Sequence, residues 1–141
     1  MRTFAAESTA PPAAAWILLS RPAAWPAWAP HVRGAWGLGA PEVREGAVGF
    51  ARLLSVVPVP ARIVAKTPGR SWTWRVGEVV ELVHRVEPRP GGGCTVATDL
   101  RAPGPLEDAL AAAYGPVIAW TMRRLAQRAA WRAPRPRRPP A

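Results

Sequence analysis

The 141-residue sequence holds one cysteine, one lysine, one tyrosine and two phenylalanines, and these scarcities narrow its chemistry. A lone Cys94 excludes an intrachain disulfide and any cysteine-cluster metal centre. It follows three glycines at the start of an expected strand, where nothing readable lowers a thiol pKa, so it reads as a small packed residue before a nucleophile. No metal site and no cofactor are expected. Uninterrupted apolar runs stop well short of the roughly 20 residues that cross a bilayer, which argues against stable membrane insertion. The N-terminal stretch MRTFAAESTAPPAAAW is broken by Glu7, Pro11 and Pro12 where a secretory leader needs continuous apolar sequence, and the expectation is a cytoplasmic protein.

Acid is scarce as well. Nine Asp and Glu stand against nineteen Arg and Lys, and none follows Asp108. Seven of the arginines lie beyond residue 122, so the rest of the chain carries twelve bases against nine acids and is nearly balanced. The segment RAPRPRRPPA, residues 132–141, cannot build a core and is expected to be a disordered, solvated tail beyond a single domain of residues 1–131. Its arginines would gain from counterion release or lipid charge, which allows a weak contact with anionic surfaces. It lacks interleaved aromatics and any nucleic-acid module, so no specific nucleic acid is expected.

What the chain has is apolar mass, 49% of its residues, in a length suited to one core. Residues 2–8 read as a strand. Ser8 or Thr9 ahead of Pro11 and Pro12 starts a helix through PPAAAWILLS, which Pro22 ends, and PAAWPAWAP gives a second short helical turn. From Val32 to Leu100 the pattern changes to VRGAWGL, GAVGFARLLSVV, ARIVAK, SWTWRV, VVELVHRV and CTVATDL, separated by Gly- and Pro-bearing turns. No crossover helix intervenes, which predicts an antiparallel meander. After APGP, residues 106–131 form a long helix with Glu107 and Asp108 in its first turn and arginines in its last turns. Its apolar face is read through Leu106, Leu110, Tyr114, Val117 and Leu125, with a kink expected at Gly115-Pro116.

In sequence detail, ESTAPPAAAWILLSRPAAWPAWAPHV, PGRSWTWRV, ELVHRVEPRPGGGCTVATDL and GPLEDALAAAYGPVIAWTMRRL resemble the polyketide cyclase/dehydrase branch of the START-like (SRPBCC) superfamily, over roughly residues 2–130. Arg21 departs from it, standing where that branch usually has an acid. The resemblance implies an α+β helix-grip fold: a curved antiparallel sheet of about six or seven strands, two short N-terminal helices and a long C-terminal helix, with a ligand held between. It does not imply one activity, because the superfamily includes cyclases, lipid carriers, receptors and chaperone activators.

Eight tryptophans are the most unusual feature of the composition. Strand alternation puts Trp72 and Trp74 on one side of SWTWRV, where they wall a pocket or simply pack the core. Trp16, Trp25 and Trp28 read as packing beneath the sheet, whereas Trp36 is placed at the pocket rim through alternation with Val32 and Gly34. In ELVHRVEP, His84 falls with Leu82 and Val86, either as a general acid or base or as a hydrogen-bonded core histidine. Tyr114 on the last helix would orient a ligand carbonyl in the catalytic reading, and the plainer alternative is a core tyrosine with its hydroxyl at the surface. Thr98, Leu110 and Val117 complete the expected lining. The partner is a small hydrophobic or aromatic molecule, undergoing cofactor-free cyclisation or dehydration, or merely carried by a non-catalytic lipid or metabolite binder. Either reading allows a monomer or a homodimer.

Overall fold

The computed structural model describes residues 1–30, 32–53 and 58–132, with residues 33, 34, 52 and 53 treated as backbone only. The 133–141 part of the basic tail, His31 and the end of GAVGFARLLSVV lie outside the described residues. Element order is β1 (Arg2–Ser8), α1 (Pro12–Ser20), a 3-10 helix (Pro22–Ala27), β2 (Val32–Trp36), β3 (Val48–Leu53), β4 (Pro58–Thr67), β5 (Ser71–Val76), β6 (Val80–Pro88), β7 (Cys94–Arg101) and α2 (Gly104–Arg132). The strands make one antiparallel sheet in the order β1-β7-β6-β5-β4-β3-β2, a meander whose last strand returns to pair with the first. With α2 against this curved sheet, the architecture is the helix-grip fold.

Register fixes which side chains share a face. On the inner side one row runs Ile63, Trp74, Leu82 and Leu100, and the next runs Lys66, Trp72, His84 and Thr98, directly opposite one another across β4 to β7. Two register shifts interrupt the alternation, between Val32 and Gly34 in β2 and between Ile63 and Ala65 in β4. Such an extra residue reverses the face of everything beyond it.

The two N-terminal helices are joined by their polar ends. Pro22 has no N–H to give the Leu18 carbonyl four residues earlier, a usual source of orphan groups at a helix terminus. The indole of Trp28 donates to Leu18 O at 2.9 Å, those of Trp25 and Trp72 donate to Leu19 O at 2.9 and 3.1 Å, and the Val43 N–H donates to Ser20 O at 2.9 Å. Arg21, in extended conformation, links α1 to the 3-10 helix with no side-chain cap, and the carbonyls that end α1 are satisfied by these tertiary donors.

The loop before β3 is tied to this region through Glu42, which accepts from Trp16 Nε1 (3.0 Å), Ser20 Oγ (3.3 Å) and Lys66 Nζ (3.0 Å). The Lys66 hydrogen bond, foremost, holds the Glu42 carboxyl below its ordinary range against the opposing effect of burial. On the sheet's outer side Asp99 is nearly covered: Arg85 Nε donates to it at 3.0 Å and Thr3 Oγ1 at 2.7 Å. Burial alone would raise its pKa, but the hydrogen bonds from Arg85 and Thr3 hold it low. Cys94 is fully buried and burial pushes its thiol pKa up, consistent with packing.

α2 runs unbroken through Gly115-Pro116. Gly115 lies against Phe4 of β1, whose ring a Cβ at that position would approach to 2.9 Å, so the helix sits close to the sheet edge there. Beyond it, Thr121, Met122, Leu125, Ala126 and Ala129 are buried, and Ser8 Oγ donates to Ala126 O at 2.7 Å. The N-terminal half differs: Leu106 and Tyr114, expected on the inner face, are 39% and 36% exposed.

Candidate functional site

A cavity of about 220 Å³ lies between the sheet and the N-terminal half of α2. Its floor is aromatic. Trp25 and Trp72 stack at 5.2 Å between ring centroids and 12° between planes, and Trp74 meets both edge-on at 5.4 and 5.6 Å. Trp28, Ala29 and Val32 close one side, while Val76, Val80, Leu82 and Leu100 form the sheet wall. Leu110, Tyr114, Ile118 and Thr121 of α2 form the roof.

Seven sequence-derived site residues meet here: Trp72, Trp74, Leu82, His84, Thr98, Leu110 and Tyr114. Three do not. Trp36 is 46% exposed and stacks on Phe50 at 5.7 Å, because the β2 irregularity between Val32 and Gly34 turns it to the face opposite Val32. Val86 shares the face of His84 but is buried in the core below the cavity floor. Val117 is replaced by its neighbour Ile118, since α2 is rotated about its axis relative to the face read from periodicity. Trp25 and Trp28, read chiefly as packing beneath the sheet, are buried in the core and also line the cavity. The signal available for them was the proline-bracketed helical turn, which keeps both rings close to α1.

The polar inventory of the wall is sparse. Trp25, Trp28 and Trp72 have spent their N–H groups on α1 carbonyls. His84 Nδ1 lies 3.1 Å from Thr98 Oγ1, which in turn lies 3.4 Å from Met122 Sδ. Two buried nitrogens of the wall have no partner among the described residues: Trp74 Nε1 and His84 Nε2. Their rings are 6.1 Å apart. If the Thr98 hydroxyl donates to Met122 sulfur, His84 Nδ1–H donates to Thr98 and Nε2 is a bare acceptor. If Thr98 donates to Nδ1, Nε2 carries the proton. An unpartnered buried polar atom costs about 1–3 kcal/mol, which a ligand atom can recover.

His84 is neutral. Burial, outweighing the attraction of Asp99, lowers its pKa from the ordinary 6.5 to about 3. No arginine, lysine, aspartate or glutamate is among the described residues of the wall, although the chain has nineteen bases.

The sequence over residues 3–130 matches the family described as polyketide cyclase / dehydrase and lipid transport. The chain belongs to that family. Its structure is similar to the solution NMR structure of a Thermobifida fusca protein, with a TM-score of 0.72 at 22% identity over 93% of this chain and 95% of that one. It is also similar to the protein XoxI from Bacillus cereus, with a TM-score of 0.67 at 13% identity over 90% and 93%. A crystal structure from Nitrosomonas europaea gives a TM-score of 0.65 at 16% identity over 90% and 94%. At these identities the likeness is one of fold. No curated protein matches the sequence. No described helix is long and apolar enough to cross a membrane.

Proposed function

We propose that the protein binds a small, neutral, flat hydrophobic molecule carrying one polar group, seated on the Trp25–Trp72–Trp74 floor with that group at Trp74 Nε1 and His84 Nε2. The observation that carries this reading is the pair of unpartnered buried nitrogens in an otherwise apolar wall. Size agrees: the cavity exceeds the roughly 150 Å³ of an engineered apolar cavity that takes up benzene. An anionic ligand is disfavoured, because a carboxylate entering a wall without a cation loses its hydration uncompensated.

A catalytic reading has one observation in its favour, the neutral imidazole with a free Nε2 in a water-poor site. In a cyclisation or dehydration His84 would move the proton, with Tyr114 at the mouth beside the substrate. A pKa of about 3 makes His84 a weak base at neutral pH, however, so binding is the reading the site supports best.

Calorimetric titration with 2-naphthol and with naphthalene tests the proposal. We expect both to bind, naphthol about tenfold more tightly, and the difference to vanish in Trp74→Phe and His84→Leu variants that remain folded. Absence of binding by either compound, together with a ligand-free protein on denaturing extraction and mass spectrometry, would overturn it. Turnover of a candidate polyketide that is lost in His84→Leu while affinity persists would shift the reading to catalysis.

A further inference from the structure

We infer that the outward face of the C-terminal half of α2 is a docking surface for an anionic lipid bilayer. At about 100° per residue, Trp120, Arg124, Gln127, Arg128 and Trp131 fall on one side of the helix, opposite the buried Met122, Leu125 and Ala129. The two tryptophans are 41% and 78% exposed, and three helical turns, about 16 Å, separate them. Each is attended by an arginine: the Arg124 guanidinium lies 5.3 Å from the Trp120 ring and that of Arg128 lies 5.5 Å from the Trp131 ring. Exposed Arg123 extends the basic side of the stripe, and no acid follows Asp108 in the sequence.

An exposed indole has a place to go at a membrane surface, where its apolar body enters the acyl boundary and its N–H stays among headgroups. Arginine beside it pairs with lipid phosphate and is drawn by the negative surface potential. The rest of the outward helix face fits the same partner. Leu106, Ala109, Ala113 and Trp120 are exposed, so apolar groups continue from the stripe towards the cavity mouth. A nucleic acid would use the arginines and could stack on the indoles, but would leave Leu106, Ala109 and Ala113 in water.

The surface is also placed to matter. Ile118 and Thr121, on the inner side of the same stretch of helix, line the cavity, and Arg124 Nη2 donates to Ala27 O at 3.2 Å beside the cavity residues Trp28 and Ala29. A bilayer on the stripe would therefore lie one helix thickness from the cavity.

Sedimentation of the full-length protein with phosphatidylcholine vesicles, with and without 30% phosphatidylglycerol, tests the inference. We expect about a hundredfold stronger partitioning onto the anionic vesicles at low salt, weakening as salt is raised. A Trp120→Ala/Trp131→Ala double variant should retain its thermal midpoint, since both side chains are exposed, and lose at least tenfold in partitioning. Equal binding to the two vesicle types would overturn the inference, as would a double variant that binds like the parent. Loss of binding on changing only Arg135, Arg137 and Arg138 to Gln, with the tryptophan variant unaffected, would assign the contact to the tail. Binding of single-stranded DNA in preference to anionic vesicles would make the partner a nucleic acid.

Discussion

The two halves of α2 both turn small and aliphatic residues towards the fold, and they do different work. In the C-terminal half Thr121, Met122, Leu125, Ala126 and Ala129 are almost wholly buried on the side that faces α1, β1 and β7, with Leu125 and Ala129 at 0% exposure. From Leu106 to Ile118 it presents Leu110, Tyr114 and Ile118 to a void, and each keeps part of its surface accessible. Apolar area buried against protein stabilises the fold, at about 25 cal/mol per Å², whereas area facing an open cavity leaves that gain to a ligand. Stability therefore concentrates at the closed end of the grip and binding at the open end.

Leu125→Ala tests the closed end with the largest expected effect. Truncating a fully buried leucine there should cost about 2–5 kcal/mol, read as a fall of about 10 °C in the thermal midpoint, with naphthol affinity of the folded fraction unchanged. Leu110→Ala is its counterpart and should cost less than about 1 kcal/mol while weakening naphthol several-fold. If the two variants lowered the midpoint equally, the division between the ends would be wrong.

His84 couples the ends to pH. Its folded pKa, about 3, lies below its ordinary value of 6.5, so between those values the unfolded chain binds a proton that the folded one does not. Stability from this group is complete above pH 6.5 and falls as pH drops towards 3, at up to about 1.4 kcal/mol per unit. Chemical denaturation at pH 7, 6 and 4 should show His84→Gln losing about 2.5 kcal/mol less than the parent between pH 6 and 4. Asp99 and Glu42, with lowered pKa values, also lose stability as pH falls, but they do so in both proteins and cancel in the difference. Parallel curves would mean that His84 has water access in the folded state.

The tryptophans divide along the same line, with a smaller expected effect. Trp28→Phe removes the donor to Leu18 O next to Pro22 and should cost about 1–3 kcal/mol without altering the preference for naphthol over naphthalene. Trp74→Phe breaks no internal hydrogen bond, so it should cost less stability and abolish that preference.

Alternation along a strand identifies a face correctly as long as register is continuous. That is why Trp72, Trp74, His84 and Thr98 were legible from β5, β6 and β7, whose pairings run without interruption. It misplaced Trp36 because the β2 irregularity is a property of pairing with β3, absent from the local pattern. Alternation also gives a side and no depth, so Val86 was assigned to a cavity that ends one residue pair above it. In α2 the apolar residues extend around much of the helix, and periodicity alone could not choose Ile118 over Val117. The indole-capped end of α1 was illegible for a different reason: its acceptors are backbone carbonyls, and its donors come from as far away as Trp72.

Tyr114 gives the weakest and most local test. Its side chain is 36% exposed at the cavity mouth, and no hydrogen bond within the protein is described for its hydroxyl. Tyr114→Phe should therefore leave stability within about 0.5 kcal/mol of the parent. Naphthol affinity should change less than about twofold, because the polar end of the ligand lies at Trp74 and His84 and one hydroxyl at a solvated rim exchanges freely with water. A tenfold loss in Tyr114→Phe, with Trp74→Phe silent, would move the polar subsite from the floor to the mouth. The open end of the grip would then hold its ligand by α2 rather than by the sheet.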